Sequence, residues 1–249
     1  MRHRPMRLAL TAVALILGAG PPVSAGLLVG PVTDPGGDLR QFNPNDPSSY
    51  AGPPNPGLDV LSANVILDPV RGTLTFTSMM AGPISGLINP NTGAILGNFS
   101  WGINHGYGNN DFAAIGLPGV IFDAVLTLNP NGTGSYRGAP APAGAVTVSG
   151  NTLTAVLPIS FLAPPPPPAN ARGPLLPVSE WSYNLWPRSQ ILPDGTPLGF
   201  GNSQIADFAP DSTDFLAQAV PAPSALVLTG TGALSLFGYG WRRRNGRRV

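Results

Sequence analysis

Hydrophobic and polar positions alternate most cleanly in Thr73-Leu74-Thr75-Phe76-Thr77-Ser78-Met79, which puts Leu74, Phe76 and Ser78 on one face. A period of two is the mark of a strand with one buried face. A looser apolar run over 58–67 precedes it, and Asp68-Pro69-Val70-Arg71-Gly72 separates the two. Two strands around a short turn predict an antiparallel hairpin. A second hairpin is predicted over 146–154, reversing at Ser149-Gly150-Asn151. Further strands are expected over 95–103, 120–128, 145–148, 152–157 and 181–186, with a turn at Asn129-Pro130-Asn131-Gly132. In the last of these strands Trp181, Tyr183 and Leu185 share a face, a core-like pattern. No body segment sustains helical periodicity over ten or more residues. Short strands at this spacing predict an all-β fold, a single antiparallel β-sandwich of jelly-roll or immunoglobulin-like type with long Pro/Gly-rich loops.

The pattern changes at both ends. Residues 1–7 carry Arg2, Arg4 and Arg7, 8–19 are apolar, and 20–25 end in Val23-Ser24-Ala25. That layout predicts a secretory signal peptide over 1–25, cleaved after Ala25. An uncleaved anchor is the alternative, although the apolar stretch is short for a span. At the other end, Val220-Pro221-Ala222-Pro223-Ser224 leads into an apolar run over 225–241. As a helix of about 25 Å it is at the short end of what crosses a bilayer. Tyr239 and Trp241 fall where an interfacial belt would lie, and Arg242, Arg243, Arg244, Arg247 and Arg248 in the 242–249 tail predict a cytoplasmic anchor. The expected organisation is therefore a targeting segment, an extracellular β-sandwich domain over 26–219, and a sorting and anchoring segment over 220–249.

Composition narrows the functional classes. The chain has 32 Gly and 31 Pro, and only 10% of its residues are charged. The turn-forming stretch 26–56 is expected to be irregular, because proline cannot donate to a sheet ladder. Five consecutive prolines over 164–168 must be polyproline II, either a ligand for an aromatic groove or a stiff loop between strands. All basic residues are Arg, and eight of them lie in the two end segments. The body keeps five against all 12 acids, a net of −7, which disfavours nucleic acid as a partner. No cysteine is present, so disulfides, thiolate metal sites and cysteine nucleophiles are excluded.

The same inventory supplies little for catalysis. After signal removal His105 is the one histidine, Glu180 is the one glutamate, and no Gly-x-Ser-x-Gly elbow occurs. His105 is expected at a loop or strand end, and the protein is expected to be non-enzymatic. The metal best suited to the acids is calcium, a hard cation that takes oxygen ligands. Asp34 and Asp38, separated by Pro35-Gly36-Gly37, could converge on one ion, with Asp59 or the group Asp207, Asp211 and Asp214 adding ligands. The competing role for these acids is to cap turns and solvate loops. Trp101, Trp181, Trp186 and Tyr107 could offer stacking faces to a sugar ring, the alternative being core positions.

The segment Val220, Pro221, Pro223, Ser224, the glycine-containing apolar span and the arginine tail together resemble the PEP-CTERM sorting signal of Gram-negative bacteria. Ala222 stands where that family usually has glutamate. The resemblance implies export, an inner-membrane intermediate held by a C-terminal transmembrane helix, processing by an exosortase-type enzyme, and delivery to the cell surface or extracellular matrix. In the body, Asp34-Pro-Gly-Gly-Asp38, residues 58–65 and Gly72-Thr73-Leu74-Thr75-Phe76-Thr77 resemble the opening of DOMON-like or carbohydrate-binding-like β-sandwich modules. Residues 146–161 and 205–211 resemble their later strands. Where such modules often carry an acidic strand, this chain has Ser100-Trp101-Gly102-Ile103-Asn104-His105. This second resemblance implies an alternative function, a carbohydrate-binding module with structural calcium and an extracellular polysaccharide partner.

Overall fold

The structure, a computed structural model, describes residues 28–40, 49–50, 54–167, 173–190 and 204–220. The expected signal peptide, the 225–241 span and the arginine tail lie outside the described residues. Among those described, no helix is long and apolar enough to cross a membrane.

The protein is built from short strands. In chain order they are β1 (Leu28–Val29), β2 (Val32–Thr33), β3 (Val60–Asp68), β4 (Thr73–Met80), β5 (Gly97–Asn104), β6 (Ala124–Leu128) and β7 (Gly134–Tyr136). There follow β8 (Ala139–Pro140), β9 (Val146–Ser149), β10 (Thr152–Pro158), β11 (Ser182–Ser189), β12 (Gln204–Ile205), β13 (Phe215–Leu216) and β14 (Gln218–Ala219). One sheet runs β14-β3-β4-β10-β9, with β2 also on β3. The other runs β1-β13-β11-β5-β6-β7-β8, with β12 also on β11. Pairing is antiparallel except at β1–β13 and β14–β3. Between its two edge arms the chain crosses between the sheets from β4 to β5, from β8 to β9 and from β10 to β11. The all-β sandwich expected from the alternation is the fold.

Local chemistry explains the hairpins. The β3–β4 turn closes because the Asp68 carboxylate accepts the backbone N–H groups of Val70 and Arg71 at 3.0 and 2.9 Å. The β9–β10 turn closes with Gly150 at a positive φ of 61°, a conformation that costs glycine nothing. In register, Val65 faces Phe76 and Leu67 faces Leu74, while Ala155 and Leu157 flank the same pair from β10. These residues form a buried stripe. The opposite sheet meets it through aromatic edges, with Phe76 5.3 Å from the Trp101 ring and 5.7 Å from Tyr183, both T-shaped. Such pairs contribute about 0.5–1.5 kcal/mol each beyond their burial.

Two features depart from the expected pattern. First, β5 and β11 are buried on both faces rather than alternately. Trp186 and its neighbours form a second cluster on the outer face, where Phe112 and Phe122 from the long β5–β6 connection cover it together with Phe208. Gly102 makes room for this layer, since a Cβ there would lie 2.5 Å from the Trp186 ring. Second, the proline-rich 26–56 stretch is not wholly irregular. Pro31 lies between β1 and β2, outside both ladders, so its missing N–H removes no sheet bond. Across this short step the chain passes from one sheet to the other.

Candidate metal centre

That step makes a seam along one side of the sandwich. β1 lies on β13 in one sheet, and β2 lies on the outer edge of β3 in the other. The carboxyl-terminal end makes the same crossing from β13 to β14, which also pairs on β3. Residues 204–216 run beside β11, with Ala206 bonded to Pro187 and Ala209 exchanging bonds with Leu185. The open side of the sandwich is thus closed by two arms distant in sequence.

Acids collect where those arms meet. Asp34 extends the β2 ladder, its N–H donating to Leu61 O at 3.0 Å. Asp38 follows after the Pro-Gly-Gly turn, in which Gly37 adopts φ 87°. Asp207 and Asp211 come from the segment beside β11. One carboxylate oxygen from each of Asp34, Asp38, Asp207 and Asp211 lies within 4.8 Å of all the others. Asp34 and Asp207 are buried, whereas Asp38 and Asp211 are exposed.

The fold fixes these groups at different points. Asp207 Oδ2 accepts the N–H of Val60, the first residue of β3, at 2.7 Å, and its Oδ1 accepts the N–H of Phe208 at 2.8 Å. Asp207 therefore ties the edge of one sheet to the start of a strand in the other. Asp59 Oδ2 accepts the Gly37 N–H at 2.8 Å and so holds the loop that carries Asp38. Two buried carboxylate oxygens, Asp34 Oδ2 and Asp59 Oδ1, have no hydrogen-bond partner within the described residues. A cavity of about 240 Å³ opens beside the cluster, lined on its polar side by Asp38, Asp207, Asp211 and Arg40 and on its apolar side by Leu117 and Phe208. The Arg40 guanidinium sits 5.4 Å from the Phe208 ring centre. Among the described residues lining the cluster and its cavity, acids outnumber the one guanidinium.

Crowding and burial show in the proton affinities. Asp34 is pushed up to about 8, first by burial and then by the charges of Asp207, Asp211, Asp38 and Asp59. Burial pushes Asp207 up to about 7 against the pull of its two backbone hydrogen bonds. Asp59 and Asp211 are also raised, burial being the larger cause in each.

The grouping expected from sequence is partly redrawn. Asp34 and Asp38 do converge, and Asp207 and Asp211 join them. Asp59 is adjacent, bonded to the loop rather than one of the four. Asp214 is elsewhere, accepting the Ser182 hydroxyl at 2.8 Å and the Ile121 N–H at 3.2 Å, with burial raising it to about 7. Trp101 and Trp181 offer no stacking surface: they are 0% and 4% exposed, Trp101 on β5 and Trp181 immediately before β11, both packed into the main core. Trp186 is buried in the second cluster. Val220 is the last described residue and donates its N–H to Leu67 O at 2.9 Å. Pro221, Pro223, Ser224 and the arginines of the tail lie outside the described residues.

His105 follows β5 directly, as expected for a strand end, but it is fully buried. Its Nδ1 bonds the Asp123 carboxylate, its Nε2 faces Leu162 O at 3.1 Å, and its ring meets Trp181 edge-on at 4.3 Å. Asp123 also accepts the N–H groups of His105 and Tyr107 at 2.8 and 3.1 Å. Sequence reading missed Asp123 because nothing local distinguishes it from the other aspartates. Comparison of the chain with protein-family models, curated proteins and solved structures finds no match.

Proposed function

We propose that the chain is an exported, non-enzymatic cell-surface or extracellular-matrix protein, an immunoglobulin-like β-sandwich sorted through its carboxyl-terminal segment. The observation that carries this reading is the contiguous order of Val220-Pro221-Ala222-Pro223-Ser224, the apolar run 225–241 and the five arginines, directly after the last strand. The basic and apolar segments before residue 25, ending in Val23-Ser24-Ala25, support export.

The strand order supports the immunoglobulin-like form over a jelly roll. One sheet, β3-β4-β10-β9, corresponds to the A-B-E-D order, and β13-β11-β5-β6-β7 corresponds to G-F-C-C′-C″ of variable-type domains. The buried, fully bonded His105 supports a structural rather than a catalytic role for the one body histidine. On this reading the apolar span is a temporary inner-membrane anchor, removed by an exosortase-type enzyme. Mass spectrometry of the mature carboxyl terminus tests it. A product ending near residue 224 is expected, and a product retaining Arg248 would rule out processing and leave only an anchor.

A further inference from the structure

We infer that Asp34, Asp38, Asp207 and Asp211 form a calcium site that pins the amino-terminal arm to the carboxyl-terminal arm across the seam of the sandwich. The geometry suits one ion. Calcium–oxygen bonds are about 2.3–2.6 Å, so ligands on opposite sides of an ion lie about 4.8 Å apart. The four carboxylate oxygens fall within that distance of one another.

A cluster of acids could also be a solvated surface, but two details argue otherwise. Asp34 is only 8% exposed, and its Oδ2 has no partner among the described residues. An unpaired buried carboxylate oxygen is costly, and a cation is the partner that the surrounding acids leave room for. Asp207 is 1% exposed and already held by two backbone N–H groups, so it is positioned before any ligand arrives. Exposed Asp38 and Asp211 leave a solvent side, through the adjoining cavity, by which an ion enters.

The ligands also have the right connectivity for a structural role. Asp34 and Asp38 belong to the arm that crosses from β1 to β2, and Asp207 and Asp211 to the segment beside β11. The two pairs are about 170 residues apart in sequence, so one ion would close a long loop, where the entropic gain of a cross-link is greatest. A calcium affinity of about 10⁻⁴ to 10⁻³ M, as in extracellular modules, or tighter, is expected. The proposed export matters here only for where the ion is met, because binding by purified protein does not depend on it.

Isothermal titration of calcium chloride into the chelator-stripped full-length chain tests the site. One ion per chain is expected, with affinity falling at least about tenfold in both Asp38→Asn and Asp211→Asn. These positions are exposed, so the substitutions leave the core intact, and circular dichroism checks that they do. Asp111→Asn, an exposed acid outside the cluster, is expected to bind like the wild type. No calcium binding up to millimolar concentration, or undiminished affinity in both cluster variants, would overturn the site. Either result would leave the mass of the mature carboxyl terminus, and the sorting proposal it tests, untouched.

Discussion

Two of the places where this sandwich buries polar side chains are solved in opposite ways. At the end of β5, His105 and Asp123 satisfy one another and the backbone. Both imidazole nitrogens have oxygen partners, and the carboxylate accepts two backbone N–H groups besides. At the seam, five acids share a small volume, two of their buried oxygens lack partners, and Asp34 and Asp207 hold their protons far above the ordinary carboxylate range. A completed polar network is part of the architecture. A crowded group of acids with unpartnered oxygens asks for something from outside. Residue type alone does not distinguish the two, since both contain buried aspartate; the pairing of each oxygen does.

The largest expected effect comes from breaking the completed network. His105→Ala leaves the buried Asp123 carboxylate without its imidazole partner and opens a cavity beside Trp181, and is expected to cost about 3–5 kcal/mol in chemical denaturation. That loss should be the same with calcium or chelator, because the network draws nothing from the seam. A calcium-dependent loss would mean that the two regions are coupled and the contrast is false.

Asp214 is an intermediate case, with both oxygens bonded but burial raising it to about 7 from an ordinary 3.8. Between about pH 4 and 7 the folded protein retains a proton there that the unfolded chain releases. Its contribution to stability is therefore complete below pH 4 and is lost as pH rises through 7. Asp214→Asn should remove this slope, so that the gap between wild type and variant changes by on the order of 4 kcal/mol across the window. Parallel stability curves for the two proteins would show that hydrogen bonding has cancelled the burial.

Much of this was legible in the sequence, for reasons that also mark where legibility stopped. The β3–β4 and β9–β10 hairpins could be read because alternation and turn chemistry agree, Asp68 and Gly150 fixing reversals that the apolar pattern already required. The role of β11 as a core strand was visible in Trp181, Tyr183 and Leu185. Its second buried face was not, because the cover over Trp186 comes from Phe112, Phe122 and Phe208, far away in the chain. Two-residue strands such as β1, β2, β13 and β14 are too short to carry any period, so the seam they build was invisible. Asp34 and Asp38 could be paired through their Pro-Gly-Gly spacing. The choice of Asp207 and Asp211 over Asp59 and Asp214 depends on where the segment beside β11 turns, which is a tertiary fact.

The difference between the two buried sites is tested most directly by calorimetric melting of the full-length chain in millimolar calcium and in chelator, for the wild type and for Asp34→Asn. The wild type is expected to melt higher in calcium, with about 2.7 kcal/mol added once the ion reaches a hundred times its dissociation constant. Asp34→Asn should lose that response and, in chelator, be at least as stable as the wild type, because a crowded buried carboxylate has been removed. Superimposable wild-type curves in calcium and chelator would contradict the cation site and place the seam acids among the solvated loops.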